Sequence, residues 1–255
     1  MNTMKQQTQQ FLLLDGSSGI SGDMAAGALI DLLRDDETVL RALAPFQQEG
    51  YEVLIRHTDK NGIPCIDLLI RTDITEGHAH HSVRQVKRTI ARSGASKHAK
   101  ELAERIYDRI AEAEAKAHEM PVDIVHFHEV GSIPSIMNVI ACAVCLDAMG
   151  IEEIIVPRLY EGSGTVQCAH GILAVPVPAV RNLLEGSGIP LERYEDIKGE
   201  ILTPSGAAVA VTFLKGTEPP KNYRVMRTGY GAGKRDTGLS GVFQAELIET
   251  ESDYE

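Results

Sequence analysis

The run Phe11-Leu12-Leu13-Leu14-Asp15, followed by Gly16-Ser17-Ser18-Gly19-Ile20-Ser21-Gly22-Asp23, constrains the fold more than any other stretch. Four consecutive apolar residues read as a buried strand, the glycine-rich run as a turn, and Met24 to Leu33 as a helix. Strand, glycine turn and helix in that order belong to α/β architecture. The turn offers backbone N–H groups and a helix N-terminus, which suit an anion. It carries no Walker A lysine and lacks the spacing of a dinucleotide fingerprint. Asp15 and Asp23 repel a bare phosphate unless a divalent cation sits between them, which makes both candidate catalytic carboxylates. A tight turn capped by Ser21 or Asp23 is the simpler alternative.

The rest of the chain repeats the alternation. Helices are expected over Glu37–Phe46, Ser82–Ser93, Lys97–His118, Ser135–Met149 and Ala207–Phe213, with Pro176 and Pro178 opening another that ends at Leu184. Strands are expected over Tyr51–Arg56, Ile66–Arg71, Asp123–His128, Glu153–Val156, Pro190–Tyr194, Arg224–Thr228 and Val242–Ile248. Lys60-Asn61-Gly62 joins two of these as a hairpin whose loop reads longer than the minimal one. The expected fold is therefore α/β, a mixed β-sheet flanked by helices and carrying a β-hairpin. One domain spans 11–248, between a flexible N-terminus at 1–10 and an acidic tail at 249–255. No repeat or linker interrupts it.

Metal-binding chemistry concentrates in His126-Phe127-His128-Glu129. On a strand, residues two apart share a face, so both imidazoles are expected to point one way with Glu129 at the strand's end. Two imidazoles and a carboxylate suit Zn, Ni, Fe or Mn; a pair of structural histidines beside a solvated glutamate is the alternative. His78, His80 and His81 form a second cluster in a polar loop. Cys142 and Cys145 lie mid-helix among apolar residues and read as core fillers. Cys168 and His170, two apart, are a minor nucleophile–base candidate.

Four glycine-bearing turns, at 15–23, 162–171, 199–206 and 229–236, fall near strand ends or helix starts, where ligands sit in open α/β sheets. Their candidate ligand-binding residues are Gly19, Ser21, Gly22, Gly162, Ser163, Gly164, Thr203, Gly231 and Arg235. Thr203 followed by Pro204 reads as an N-cap with proline at the first helical position. A site at the strand ends joins Asp15, Asp23, His126, His128, Glu129, His170, Glu200 and Arg235, and the combination points to a metal with a phosphate-bearing ligand.

A net charge of −11 gives no basic stripe for nucleic acid, and 5% aromatic residues with no Trp disfavour base stacking. Four scattered cysteines form no disulfide framework. No signal peptide and no membrane span is read, so the expected location is a reducing cytoplasm. A homo-oligomer is compatible with the sequence.

The sequence resembles the LarC nickel-insertion family, N-terminal part. The resemblance rests on Leu14–Met24, on Ala111-Glu112-Ala113-Glu114-Ala115-Lys116-Ala117-His118 and on His126-Phe127-His128-Glu129-Val130-Gly131. It continues through Gly162–Val166, Ala169-His170-Gly171 with Pro176 and Pro178, Gly199–Pro204 and Gly229–Gly233. It implies nickel insertion into pyridinium-3,5-bisthiocarboxylic acid mononucleotide, forming Ni–S and Ni–C bonds in the nickel-pincer cofactor of lactate racemase-type enzymes. It further implies CTP hydrolysis with Mn or Mg, associated with a C-terminal part, and a lactate racemase-type apoenzyme as recipient.

Three departures stand out. Pro134 and Asn138 occupy positions where the family carries aspartates. The family's long histidine-rich loop is reduced to His78, His80 and His81. The chain stops where the C-terminal part begins, so it is expected to be the N-terminal half of a split enzyme. A non-catalytic nickel-delivery module or divergent paralogue is the first alternative, and a divalent-metal phosphohydrolase the second.

Overall fold

Strand β1 (Thr8–Asp15) runs through the middle of the sheet in the computed structural model, which describes residues 8–73 and 81–251. Its side chains alternate as a strand buried on both faces requires. Leu12 and Leu14 join the main core, while Phe11 packs with Ile155 and Ile248 in a separate cluster.

The chain continues through α1 (Gly22–Leu33), α2 (Asp36–Gln47), β2 (Tyr51–Lys60), β3 (Ile63–Thr72), β4 (His81–Ser82), α3 (Val83–Arg92) and α4 (Lys97–Ala117). Then come β5 (His126–Phe127), α5 (Ile133–Met149), β6 (Ile154–Ile155), β7 (Leu159–Ser163), β8 (Thr165–Cys168) and β9 (Gly171–Ala174). The last elements are α6 (Pro178–Leu184), β10 (Leu191–Lys198), α7 (Pro204–Thr212), β11 (Leu214–Gly216), β12 (Arg224–Ala232) and β13 (Val242–Glu251). The main sheet has the order β11-β6-β1-β13-β12-β3-β2. β1 pairs parallel with β6 and antiparallel with β13, so the sheet is mixed, as the sequence predicts.

Helix α1 lies directly on β12, β3 and β13. It can do so because Gly231 has no side chain: a Cβ there would collide with the carbonyl oxygen of Met24. Helix α5 packs against both α1 and α4 and is apolar on all sides, as a helix enclosed by others must be. Cys142 and Cys145 are fully buried within it, and burial holds both thiols far above the ordinary range. They are core residues, as their position mid-helix suggests.

The structure differs from the sequence reading in four places. Asn61 and Gly62 both have positive φ, 56° and 83°, so the β2–β3 connection is the minimal two-residue turn and the strands run right up to it. The expected strand over 123–128 is instead a 3-10 turn at Val122–Ile124 followed by the two-residue β5, paired with β4. His128 lies beyond it at φ −96°, ψ −106°, so the alternation that would align it with His126 is broken. Residues 162–171 form no single loop; they end β7 and build the β8–β9 hairpin. Gly229 and Gly231 lie inside β12 rather than in a turn.

At the ends, β1 begins at Thr8 and β13 reaches Glu251, and the two residues pair. Among the described residues no helix is long and apolar enough to cross a membrane.

Candidate metal centre

Helix α4 ends at His118, which caps it while its N–H donates to Glu114 O at 2.9 Å. Ten residues later the chain turns a corner at His128–Gly131 on the flank of the same helix. Buried Tyr107 fixes that corner, donating its hydroxyl to Val130 O at 2.8 Å while its ring meets Phe127 edge to face. His81 Nδ1 bonds Gly131 O from the other side. A third piece arrives from the β8–β9 hairpin, whose turn carries Ala169 and His170. The Ala169 N–H donates to Glu129 Oε1 at 2.6 Å, which draws the hairpin tip onto the corner.

The outcome is a trio. His118, His128 and His170 each offer a ring nitrogen, and these atoms all lie within 4.8 Å of one another. Ring centroids are 4.2 Å apart for His128 and His170 and 4.8 Å for His118 and His170. Metal–imidazole bonds are about 2.0–2.1 Å, so modest side-chain rotations bring three nitrogens onto one ion. Burial, and secondarily His170, lower the pKa of His118, which favours the neutral ring a metal needs.

The trio lines a cavity of about 300 Å³ that also exposes Glu114, Glu129 and Glu200. Burial, and then the Glu129 charge, push Glu114 up to about 7. Glu200 rises to about 7 as well, through burial first and then Glu161 and Glu129, with Arg235 opposing. A dication in the cavity reverses both trends by favouring the carboxylates. Cys168 also lines the wall, but its thiol donates to Gly171 O at 3.4 Å within its own hairpin.

The sequence-predicted residues separate into groups. His128, Glu129 and His170 meet in this cavity. His126 is exposed and borders an outer recess with His118, Met120 and His128, outside the trio. His81 is engaged with the Gly131 carbonyl, while His78 and His80 lie outside the described residues.

Ser21, Asp23, Thr203 and Arg235 converge on a second cavity. Gly19 and Gly22 shape the turn beside it. Asp15 lies apart from both cavities, in a recess with Arg158, Tyr160 and Glu246, and accepts from Ser17 N at 2.9 Å. Gly162 and Ser163 are in β7 with Gly164 just beyond; Ser163 Oγ donates to Glu195 O at 2.8 Å. Gly231 is under α1.

Pro134 and Asn138 line neither cavity. Asn138 sits beside Gly22, with its Oδ1 buried and unpartnered.

Sequence reasoning missed His118 as a ligand. It ends the Ala111–His118 stretch, and a histidine closing a long helix ahead of a His-x-His segment is the signal that marks it.

A family model described as nickel insertion protein matches residues 12–254. The pyridinium-3,5-bisthiocarboxylic acid mononucleotide nickel insertion protein of Alkaliphilus metalliredigens is 39% identical, over 95% of this chain and 61% of that protein. Proteins of the same name from Lactiplantibacillus plantarum and Acetivibrio thermocellus are 37% and 36% identical, over 94% and 93% of this chain and 62% and 60% of their own. The chain thus spans about three fifths of the length of these relatives. No solved structure matches it. With nearly its whole length matched, the chain belongs to the nickel insertion protein family.

Proposed function

We propose that this chain takes part in nickel insertion into pyridinium-3,5-bisthiocarboxylic acid mononucleotide, with nickel as cargo held by His118, His128 and His170. The observation that carries the reading is the convergence of three imidazoles from distant segments on one cavity. Imidazole nitrogen suits nickel, and the carboxylates of Glu114, Glu129 and Glu200 add charge nearby. Thiocarboxylates at ring positions 3 and 5 flank carbon 4, so a metal taken by both sulfurs lies against that carbon. Forming the Ni–C bond there releases one proton, for which the same three carboxylates are acceptors within the cavity.

His126 borders the outer recess and serves entry rather than holding, and His78 and His80 have the same collecting role. The reading includes a C-terminal part that hydrolyses CTP with Mn or Mg, as the family resemblance implies. The loaded cofactor passes to a lactate racemase-type apoenzyme. Four free cysteines and nitrogen ligation fit a reducing cytoplasm.

The test is nickel transfer to the purified bisthiocarboxylate mononucleotide, followed by its absorbance and mass, with this chain alone and with a relative's C-terminal part plus CTP. Product requiring this chain and its three histidines is the expected result. Product formed equally well by the His118→Ala/His128→Ala/His170→Ala variant sinks the reading. Tight nickel binding without transfer under either condition favours the delivery module instead. That alternative draws on Pro134 and Asn138, which stand where the family carries carboxylates.

A further inference from the structure

A cavity of about 180 Å³ shares the wall residue Glu200 with the histidine cavity. Its construction starts from two helix N-termini fastened side by side. Ile20 N donates to Ile201 O at 2.9 Å and Thr203 N donates to Ile20 O at 3.0 Å, so the turns before α1 and α7 are bridged backbone to backbone. Gly19 permits this approach: its φ is +80°, and a Cβ would collide with the Ile201 carbonyl. The two helix N-termini therefore lie close together, but only α1 adds free N–H groups, since α7 opens with Pro204 and its Gly206 N–H is taken by Thr203 Oγ1. Ser21, the N-cap of α1, makes no capping bond; its hydroxyl donates to Asp23 instead.

Two cations complete the wall. Lys234 Nζ bonds Asp67 and, at 3.1 Å, the Leu68 carbonyl. An ammonium has three protons, and its next neighbour, Asp23 Oδ2, is 3.7 Å away, beyond hydrogen-bond length. The third proton faces Asp23 across an ion pair longer than a hydrogen bond, and a phosphate oxygen at closer range can take it over. Asp67 is also held by Arg56, so Arg56 and Lys234 together balance Asp67 and Asp23, and the further positive charge of the wall comes from Arg235. Arg235 donates to the carbonyls of Glu200 and Lys198, which fixes its guanidinium at the rim. Thr237 Oγ1 is buried and has no partner.

Against these stand Asp23 and Glu200. Asp23 is already engaged by the Ser21 hydroxyl and the Lys234 charge. Glu200 stands in the wall shared with the histidine cavity, where burial pushes it up to about 7.

We propose that this cavity seats the phosphate monoester of the mononucleotide, with Lys234, Thr237 and the N-terminus of α1 as donors, while the pyridinium ring extends past Glu200 toward the histidines. The proposal rests on the functional reading above and adds to it the end of the substrate that is recognised. Lys234 and Thr237 are binding residues here, and Glu200 is the partition between the phosphate and the metal.

The probe is the mononucleotide of pyridine-3-carboxylic acid, compared with its phosphate-free nucleoside by calorimetry on the intact chain. The nucleotide is expected to bind at least about tenfold more tightly. Lys234→Ala should remove most of that difference, with Lys234→Arg retaining part of it. Thr237→Val, a near-isosteric change, should reduce it by a smaller factor without altering the melting temperature. Inorganic phosphate should compete with the nucleotide and not with the nucleoside.

Nickel titration of the same variants provides the separation from the functional reading. Lys234→Ala should leave nickel affinity within about twofold of the parent. Equal binding of nucleotide and nucleoside, binding of neither, or discrimination that survives both Lys234→Ala and Thr237→Val overturns the phosphate seat. Nucleotide discrimination that persists when no nickel binds at the trio leaves the seat standing and removes the nickel reading alone.

Discussion

The two cavities that meet at Glu200 are built in opposite ways. The histidine cavity is assembled from chain ends: the last residue of a helix, a corner after a two-residue strand, and a hairpin tip. Side chains hold these pieces together, chiefly Tyr107 on Val130 and Glu129 on Ala169. The second cavity is framed on one side by the turns before α1 and α7, bridged backbone to backbone at Ile20 with Ile201 and Thr203, and on the other by the 233–241 loop. Two-stranded hairpins are marginal in isolation, whereas helix N-termini locked by main-chain bonds have little freedom. On the proposed reading, the metal side is the more adjustable and the bridged wall of the phosphate side the more rigid, which suits a cargo that changes coordination while its substrate stays put.

The sharpest way to break this contrast is to take ligands away. Replacing any one of His118, His128 or His170 by Ala should weaken nickel binding about 100-fold, because losing a ligand costs at least as much as losing its outer partners. Replacing two should abolish binding at micromolar nickel. Equilibrium titration reads the effect, and a single variant that binds as the parent does would remove that residue from the trio. His126→Ala should change affinity by no more than about threefold.

The rigid side breaks at Glu161. It is fully buried, and its Oε1 accepts from Gly162 N and Ile201 N at 2.8 Å and from Leu202 N at 3.3 Å. Burial outweighs these bonds and raises its pKa. Glu161→Ala strands three buried N–H groups and should cost about 3 kcal/mol or more in urea unfolding, while Glu161→Gln keeps an acceptor and should cost about 1 kcal/mol. Equal losses for the two would mean that packing, not the clamp, is what matters.

A pH comparison sharpens the difference further. Glu114 rises from 4.5 to about 7 on folding, so the native state holds its proton more tightly than the unfolded chain. The resulting stability is fully present below about pH 4.5 and is lost as pH climbs through about 7. Glu114→Gln should therefore stabilise the metal-free protein at pH 8 by roughly 2–3 kcal/mol relative to its effect at pH 4.5. Nickel should shrink that gap, since a nearby dication favours the carboxylate. A gap that nickel leaves unchanged would place the ion away from Glu114. The smallest effect is expected at α5: Cys142→Ala and Cys145→Ala should each cost about 1 kcal/mol and leave nickel stoichiometry unaltered.

The fold was legible wherever local pattern decided it. The apolar run at Phe11–Leu14 and the Thr203-Pro204 cap both lie where the pattern puts them, and Thr203 Oγ1 accepts from Gly206 N at 3.2 Å. Tertiary packing overruled pattern at 123–128, where pairing with β4 and the Tyr107 anchor leave room for only two strand residues. Gly231 looked like a turn glycine because sequence does not tell a turn from a strand pressed under a helix. In the site, His128, Glu129 and His170 were visible as residues but not as neighbours. His118 was hidden because a histidine at a helix end has many uses, and only the corner and hairpin folding back onto it make it one of three.

The trio consists of imidazole nitrogen donors, and no thiol joins it among the described residues. Cys142 and Cys145 are sealed in α5, and Cys168 turns to its own hairpin. Thiolates would grip nickel harder and cancel its charge; imidazoles leave the dication electrophilic and only moderately held. On the proposed reading, a substrate arriving with two anionic sulfurs spaced to chelate the ion is then the stronger partner, and handover would run downhill from nitrogen to sulfur. Exchange, not storage, is what such a coordination sphere would favour.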